Sequence, residues 1–227
     1  MHIPDGYLGP VTCGVGYAVA LPFWAVAAKK IKKTLSAKQV PLLAIGAAFT
    51  FLIMMFNVPI PGGTTGHAVG GVLVAILLGP WAAVIAVSIA LGIQALLFGD
   101  GGITSFGANC FNMAIVLPFT GWAVYRIWAG TSALQSKRRM WAAAIGGYIG
   151  ISVASLCAGV EFGIQPLLHQ SPDGHALYCP FGLSVAVPAM LGEHMLVFGW
   201  VEAIVTAGVV YYLGKHSPEM LEGGASK

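Results

Sequence analysis

From about residue 8 to residue 213 the chain is a succession of apolar runs, parted by short polar, glycine-rich or basic breaks. Few folds accept that pattern. In hydrocarbon each backbone N–H and C=O must find a partner within the protein, so runs of near membrane length become helices packed side by side. Charged residues make up 8% of the chain and the mean hydropathy is +0.82, where soluble domains carry about 25% charged residues. The expectation is an all-α polytopic membrane protein forming one transmembrane domain. Its net charge of +3 is dispersed over short loops, which argues against a nucleic-acid partner. Cys13, Cys110, Cys157 and Cys179 show no C-x-x-C spacing and read as packing residues.

Spans are predicted over residues 8–28, 40–58, 67–78, 80–98, 110–128, 141–162 and a last segment ending near 213. The break at Gly79-Pro80 decides between six spans and seven. Cytoplasmic loops collect Lys and Arg. With a hairpin at Gly79-Pro80 all eleven basic residues, including Lys29, Lys30, Lys32, Lys33, Arg126, Lys137, Arg138 and Arg139, fall on one side or its interface. A seven-helix bundle is therefore expected, with the N-terminus outside and the C-terminal tail (215–227) cytoplasmic around a bundle of residues 10–214. The third span would be about 18 Å long at 1.5 Å per residue, too short for a hydrocarbon core of about 30 Å. Its start, at Gly66-His67 with Thr64 or Thr65 as N-cap, must then lie sunk in the outer half of the bundle.

Residues 1–9, Met-His-Ile-Pro-Asp-Gly-Tyr-Leu-Gly, precede every apolar run and form a free arm. No basic stretch comes before the first span, the reverse of a signal peptide, so Met1 is expected to be retained. A histidine at position two lines up the Met1 amine, the His2 amide and the His2 imidazole. Bound to one ion, amine and amide close a five-membered ring, and amide and Nδ1 a six-membered one. Planar nitrogen sets of this kind suit Ni(II) or Cu(II), and Co(II) less strictly. One position in the plane is left over. His67, expected on the same outer side, reads equally as that fourth ligand or as a hydrogen-bonded loop histidine.

The segments 1–10 (MHIPDGYLGP), 59–71 (PIPGGTTGHAVGG), 77–81 (LLGPW) and 94–112 (QALLFGDGGITSFGANCFN) together resemble the NikM/CbiM family, the substrate-binding membrane components of energy-coupling-factor nickel and cobalt importers. The likeness is dense as far as Asn112 and looser beyond, through His194, Gly199, Glu202, Ala203 and Thr206, while 164–180 looks particular to this chain. The resemblance implies a roughly square-planar site made by the Met1 amine, the His2 amide and imidazole, and His67. It also implies a transmembrane coupling subunit, two cytoplasmic ATPases and, as a further candidate, a small accessory membrane subunit. The setting would be the inner membrane of a prokaryote. Tilting of the whole subunit would carry the ion inward. Nickel is favoured and cobalt comes next; the ion is cargo and no cofactor is implied.

Behind the ligands, Asp5 and Asn57 are candidates to accept an imidazole N–H. The glycine-rich loop 99–109 reads as an outer lid, with Ser105, Phe106 and Asn109 facing inward. Glu202, a carboxylate inside a span, is expected to pair with a neighbouring helix; Glu193 and His194 lie nearer the outer end. His169 and His175 read as solvated, and His216 falls in the tail. Ala44 and Ala48, with small-xxx-small spacing, are docking candidates, and Gly146 and Gly150 share that spacing. No G-x-x-x-x-G-K-[ST] or H-E-x-x-H occurs, so ATP must be used by a partner. The competing readings are a membrane metal sensor or a metalloenzyme without transport.

Overall fold

A computed structural model describes residues 1–37, 39–60 and 64–221, with the backbone alone at Ile60 and Thr64. Its helices, in chain order, are α1 Pro10–Thr34, α2 Val40–Met54, α3 Gly71–Leu78, α4 Pro80–Phe98, α5 Phe106–Ala129, α6 Lys137–Leu168 and α7 Leu183–His216. Five of them (α1, α4, α5, α6 and α7) are long and apolar enough to cross a bilayer. The chain is an all-α membrane protein apart from one small hairpin.

That hairpin replaces the end of the predicted second span. α2 stops at Met54, and Val58–Ile60 (β1) pairs antiparallel with Thr64–Gly66 (β2), Val58 opposite Gly66. Pro59 disfavours helix at Val58 and supplies no N–H of its own, so extended backbone is the available state. Residues 61–63 between the strands lie outside the described ones.

The predicted start of α3 is also displaced. Thr64 and Thr65 sit in β2 instead of capping, residues 67–70 are irregular, and the N-cap is Gly70 at φ 73°. That left-handed conformation is open to glycine at little cost. A second left-handed glycine, Gly79 at φ 89°, ends α3, and Pro80 opens α4 at a position where its missing N–H costs nothing. α3 is therefore about 12 Å long, and it is sheathed on all sides: of its eight residues all but Leu77 are buried.

Three π-helical turns interrupt the long helices: Gln94–Phe98 ends α4, Cys110–Val116 lies in α5, and His194–Phe198 lies in α7. Each carries a fully buried polar residue, Gln94, Asn112 and His194 respectively. A π turn inserts one residue and swings the side chains around it to a new face. Where α5 meets α6, a Cβ on Gly146 would stand 2.6 Å from the Gly121 carbonyl oxygen, and one on Gly150 2.8 Å from that of Leu117. Gly146 and Gly150 thus serve internal packing. Ala44 and Ala48 are exposed on α2, along a groove that Ile89, Ile93 and Phe98 of α4 complete.

Candidate metal centre

The arm is inserted into the bundle. Met1 and Ile3 are 0% exposed and His2 3%, an unusual state for chain-start residues, which are poorly ordered unless tied down. The ties are specific. Ile3 N–H donates to Asn109 Oδ1 (2.9 Å), and the Ile3 carbonyl accepts from Asn109 Nδ2 (3.0 Å), Gly102 N–H (2.9 Å) and Ser105 Oγ (2.5 Å). Asp5 accepts from the Thr104 N–H (2.8 Å) and the Ile103 N–H (3.1 Å). Gly102 allows this approach, since a Cβ there would lie 2.2 Å from Asp5 Oδ1. At the base of the arm, Gly9 N–H donates to Gln165 Oε1 (2.9 Å) and Cys179 N–H to the Tyr7 carbonyl (3.1 Å). The Met1 amine itself donates to the Thr65 carbonyl on β2.

That last contact brings the arm against the His67 segment. The His2 and His67 rings stack with centroids 4.5 Å apart and planes 29° from parallel. Their tautomers follow from their partners. His2 Nε2 lies 3.1 Å from Gln94 Oε1, an acceptor, so the ring proton is on Nε2 and the Nδ1 lone pair is available. His67 Nδ1 lies 3.0 Å from the Ala68 carbonyl, so its proton is on Nδ1, and Nε2 presents a bare lone pair. His67 Nε2 is buried with no hydrogen-bond partner among the described residues. Buried polar atoms are rarely left so.

Electrostatics leave the same donors unprotonated. Burial lowers the Met1 amine from 8.0 to about 5, against the opposing pull of Glu193 and Asp100. Burial, followed by the nearby amine, lowers His2 to about 3, with the Gln94 bond opposing. His2 Nδ1 lies 3.4 Å from Asp100 Oδ1. With the imidazole neutral at ordinary pH this is a lone pair facing a carboxylate, an arrangement suited to a cation between or beside them, and not an ion pair. Among the described residues no group of three or more His, Cys, Asp or Glu side chains could hold a metal. Any site here must draw on main-chain nitrogen.

Other predicted residues take different places. Asn57 does not reach an imidazole; its Nδ2 donates to Asp100 Oδ2 (3.3 Å), behind His2. Asp5 ties the 99–105 loop to the arm instead of accepting from a ring. The loop is shorter than expected because Phe106 and Asn109 already belong to α5. Ser105 and Asn109 face the arm, but Phe106 turns toward Tyr17 and Trp24 of α1. Thr65 contributes its carbonyl, and the side chain of Thr64 is outside the described atoms. His169 is partly buried, expected solvated but lodged against Gly9, where a Cβ would meet its ring at 2.2 Å. Glu193 abuts Gly66, and His194 is buried with Nδ1 on the Met190 carbonyl (2.8 Å). Glu202 pairs with backbone: it accepts from the Val69 and Gly70 N–H groups of the His67 segment.

Sequence reasoning missed Gln94, Asp100 and the buried Asn112–Glu161 bond, in which Asn112 Nδ2 donates to Glu161 Oε2 at 2.6 Å. Their signal was polarity within or beside apolar runs.

Comparison with known proteins supplies the context. Residues 2–220 match the CbiM family, described as the cobalt uptake substrate-specific transmembrane region. The chain is 54% identical over 221 residues to the fused nickel transport protein NikMN of Rhodobacter capsulatus, covering 97% of this chain and 64% of that one. It is 50% identical over 223 residues to a probable fused nickel transport protein, LarMN, of Lactiplantibacillus plantarum, of which it spans 66%. It therefore spans about two thirds of the length of these fused relatives. A putative metal transport protein of Methanocaldococcus jannaschii is 50% identical and covered over 94% of its length. The fold superposes on the crystal structure of a truncated transition metal transporter with a TM-score of 0.90 at 55% identity, covering 95% of this chain and 99% of that one. The chain is a multi-pass member of the CbiM family of nickel and cobalt uptake membrane components, a family of transporters and not of enzymes.

Proposed function

We propose that this chain captures a divalent transition-metal ion, nickel first and cobalt next, as the substrate-binding membrane subunit of an ATP-driven energy-coupling-factor importer in a prokaryotic inner membrane. The observation that carries this is the meeting, in one buried place, of the Met1 amine, the His2 backbone and ring, and His67 with its bare Nε2. The Met1 amine and His2 amide bind as a five-membered chelate, His2 Nδ1 adds the six-membered ring, and His67 Nε2 completes the plane. Ser105 and Asn109 hold the arm, and Gln94 holds the His2 tautomer. A plane of four nitrogens, one of them an ionised amide, is the coordination Ni(II) prefers. The relatives named as nickel transport proteins support the same ion.

The arm and the 99–105 loop lie outside and the loop acts as a lid, while the lysine-rich end of α1, the start of α6 and the C-terminus lie inside. The ion is passed on with the help of a transmembrane coupling subunit and two ATPases, with a small accessory membrane subunit as a further candidate partner; fused relatives support a multi-component transporter.

The test shifts the terminus and leaves every side chain in place. One residue added before Met1, or N-terminal acetylation, turns the amine into a peptide nitrogen. Nickel binding should then be abolished about as completely as by His2→Ala. Near-native affinity in an extended protein whose terminus is verified by mass spectrometry would refute the chelate. Binding without nickel uptake in vesicles holding the full complex would favour a sensor.

A further inference from the structure

His67 sits on an irregular stretch between β2 and α3, so the N–H groups that follow it need partners from elsewhere. They find one side chain. Val69 N–H donates to Glu202 Oε2 at 2.8 Å, and Gly70 N–H to Oε2 at 2.8 Å and Oε1 at 3.0 Å. Glu202 belongs to α7, 132 residues from Gly70, and is 0% exposed. An ionised carboxylate is acceptor-only, and here both of its oxygens face N–H groups at the positive end of α3. α7 is itself pinned at this level, since a Cβ on Gly147 of α6 would stand 3.1 Å from the Glu202 carbonyl oxygen.

The other donors are fixed by different helices. Met1 to Ile3 hang from Asn109 of α5 and from the 99–105 loop, and the His2 ring rests on Gln94 of α4. The donor set is thus drawn from two bodies. One is the arm, carried by α4 and α5; the other is the His67 segment, tethered across the bundle to α7. Charge points the same way. A divalent ion that displaces the amide proton leaves the plane at net +1, with Asp100 on the His2 side and Glu202 two residues beyond His67.

We infer that Glu202 is a positioning residue for the metal plane: it holds His67 in place, and a shift of α7 against α4 and α5 withdraws the fourth nitrogen while the Met1–His2 chelate stays whole. This rests on the four-nitrogen site proposed above. It provides a route to release in which the ion first loses one ligand, through a helix that touches neither the arm nor the ion.

Nickel titration of the purified full-length chain, followed by visible absorption, tests it on four proteins: the parent, Glu202→Gln, His67→Ala and the double variant. Glu202→Gln keeps the shape and replaces one acceptor oxygen by a donor. It should weaken nickel at least tenfold and move the spectrum toward that of His67→Ala. In the double variant, affinity should match His67→Ala within twofold, since the withdrawn ligand is already gone. Parent-like affinity and spectrum in Glu202→Gln, or losses that multiply in the double variant, overturn the inference; a lowered melting temperature with an unchanged spectrum marks a merely structural role and does the same. Should Glu202→Gln not be recovered folded, Glu202→Asp, one methylene short with its charge kept, enters the same cycle with an intermediate loss expected. His67→Ala binding like the parent would instead defeat the four-nitrogen site, and this inference with it.

Discussion

Nickel capture at this site should release close to one proton, not two, at mildly acidic to neutral pH. A solvated α-amine titrates near 8, so in an exposed arm the ion would compete for an amine proton and an amide proton together. Burial has already removed the first: the Met1 amine is lowered to about 5 and the His2 imidazole to about 3. Both groups are lowered, so both are proton-free well above those values and begin to compete with the ion when the pH falls through them. Between about pH 5.5 and 7.5 the amide proton alone is exchanged. Acidification across that window should weaken binding about 100-fold, whereas an amine of ordinary pKa would add nearly another 100-fold, to about 10⁴ in all. At pH 7 the lowered amine makes capture about tenfold tighter than a solvated one would. Calorimetric titration in buffers of different ionisation enthalpy counts the protons directly at about pH 6.5, and dissociation constants at three pH values give the slope. Two protons would show a solvated amine and refute the burial argument. None would show the amide still protonated, and the plane would not be a backbone chelate.

Three further expectations follow from single contacts. Gln94→Leu removes the acceptor that keeps the proton on His2 Nε2, and should weaken nickel roughly 10- to 100-fold; an unchanged titration would mean the tautomer is set elsewhere. Asn109→Ala deletes both side-chain bonds to Ile3, at about 1 kcal/mol each. Nickel should then bind roughly 30-fold more weakly and amide exchange should quicken at residues 2–5, while exchange as slow as in the parent would show the arm held by other contacts. For topology, Ile103 is 54% exposed on the 99–105 loop and its neighbour Gly102 has no room for a side chain. Ile103→Cys, with the native cysteines replaced, should react with an impermeant thiol reagent added outside, and labelling only after permeabilisation would reverse the orientation proposed for the arm.

How much of this was legible in the sequence depends on the kind of signal. The helices longest in apolar residues were visible as runs, and Gly79-Pro80 was readable as a break because each residue has one dominant backbone meaning: a left-handed cap, then a helix start without an N–H. The hairpin was not readable. Strands of three residues carry no measurable period, and the proline- and glycine-rich turn between them looks like any loop. The donors could be named because a chelate of amine, amide and position-two imidazole is set by covalent geometry alone. What supports them could not. Gln94 and His194 each open a π turn, and an extra residue in the turn breaks the 3.6-residue period by which helix faces are assigned. Glu202 announced itself as a carboxylate among apolar residues, yet its partners are two main-chain N–H groups, and backbone donors look alike in every sequence. The ligands are thus local and legible, while their placement is long-range and carried by backbone. That division suits a carrier: a covalently built chelate keeps hold of the ion, and a fourth ligand placed by a distant helix can be taken away without dismantling it.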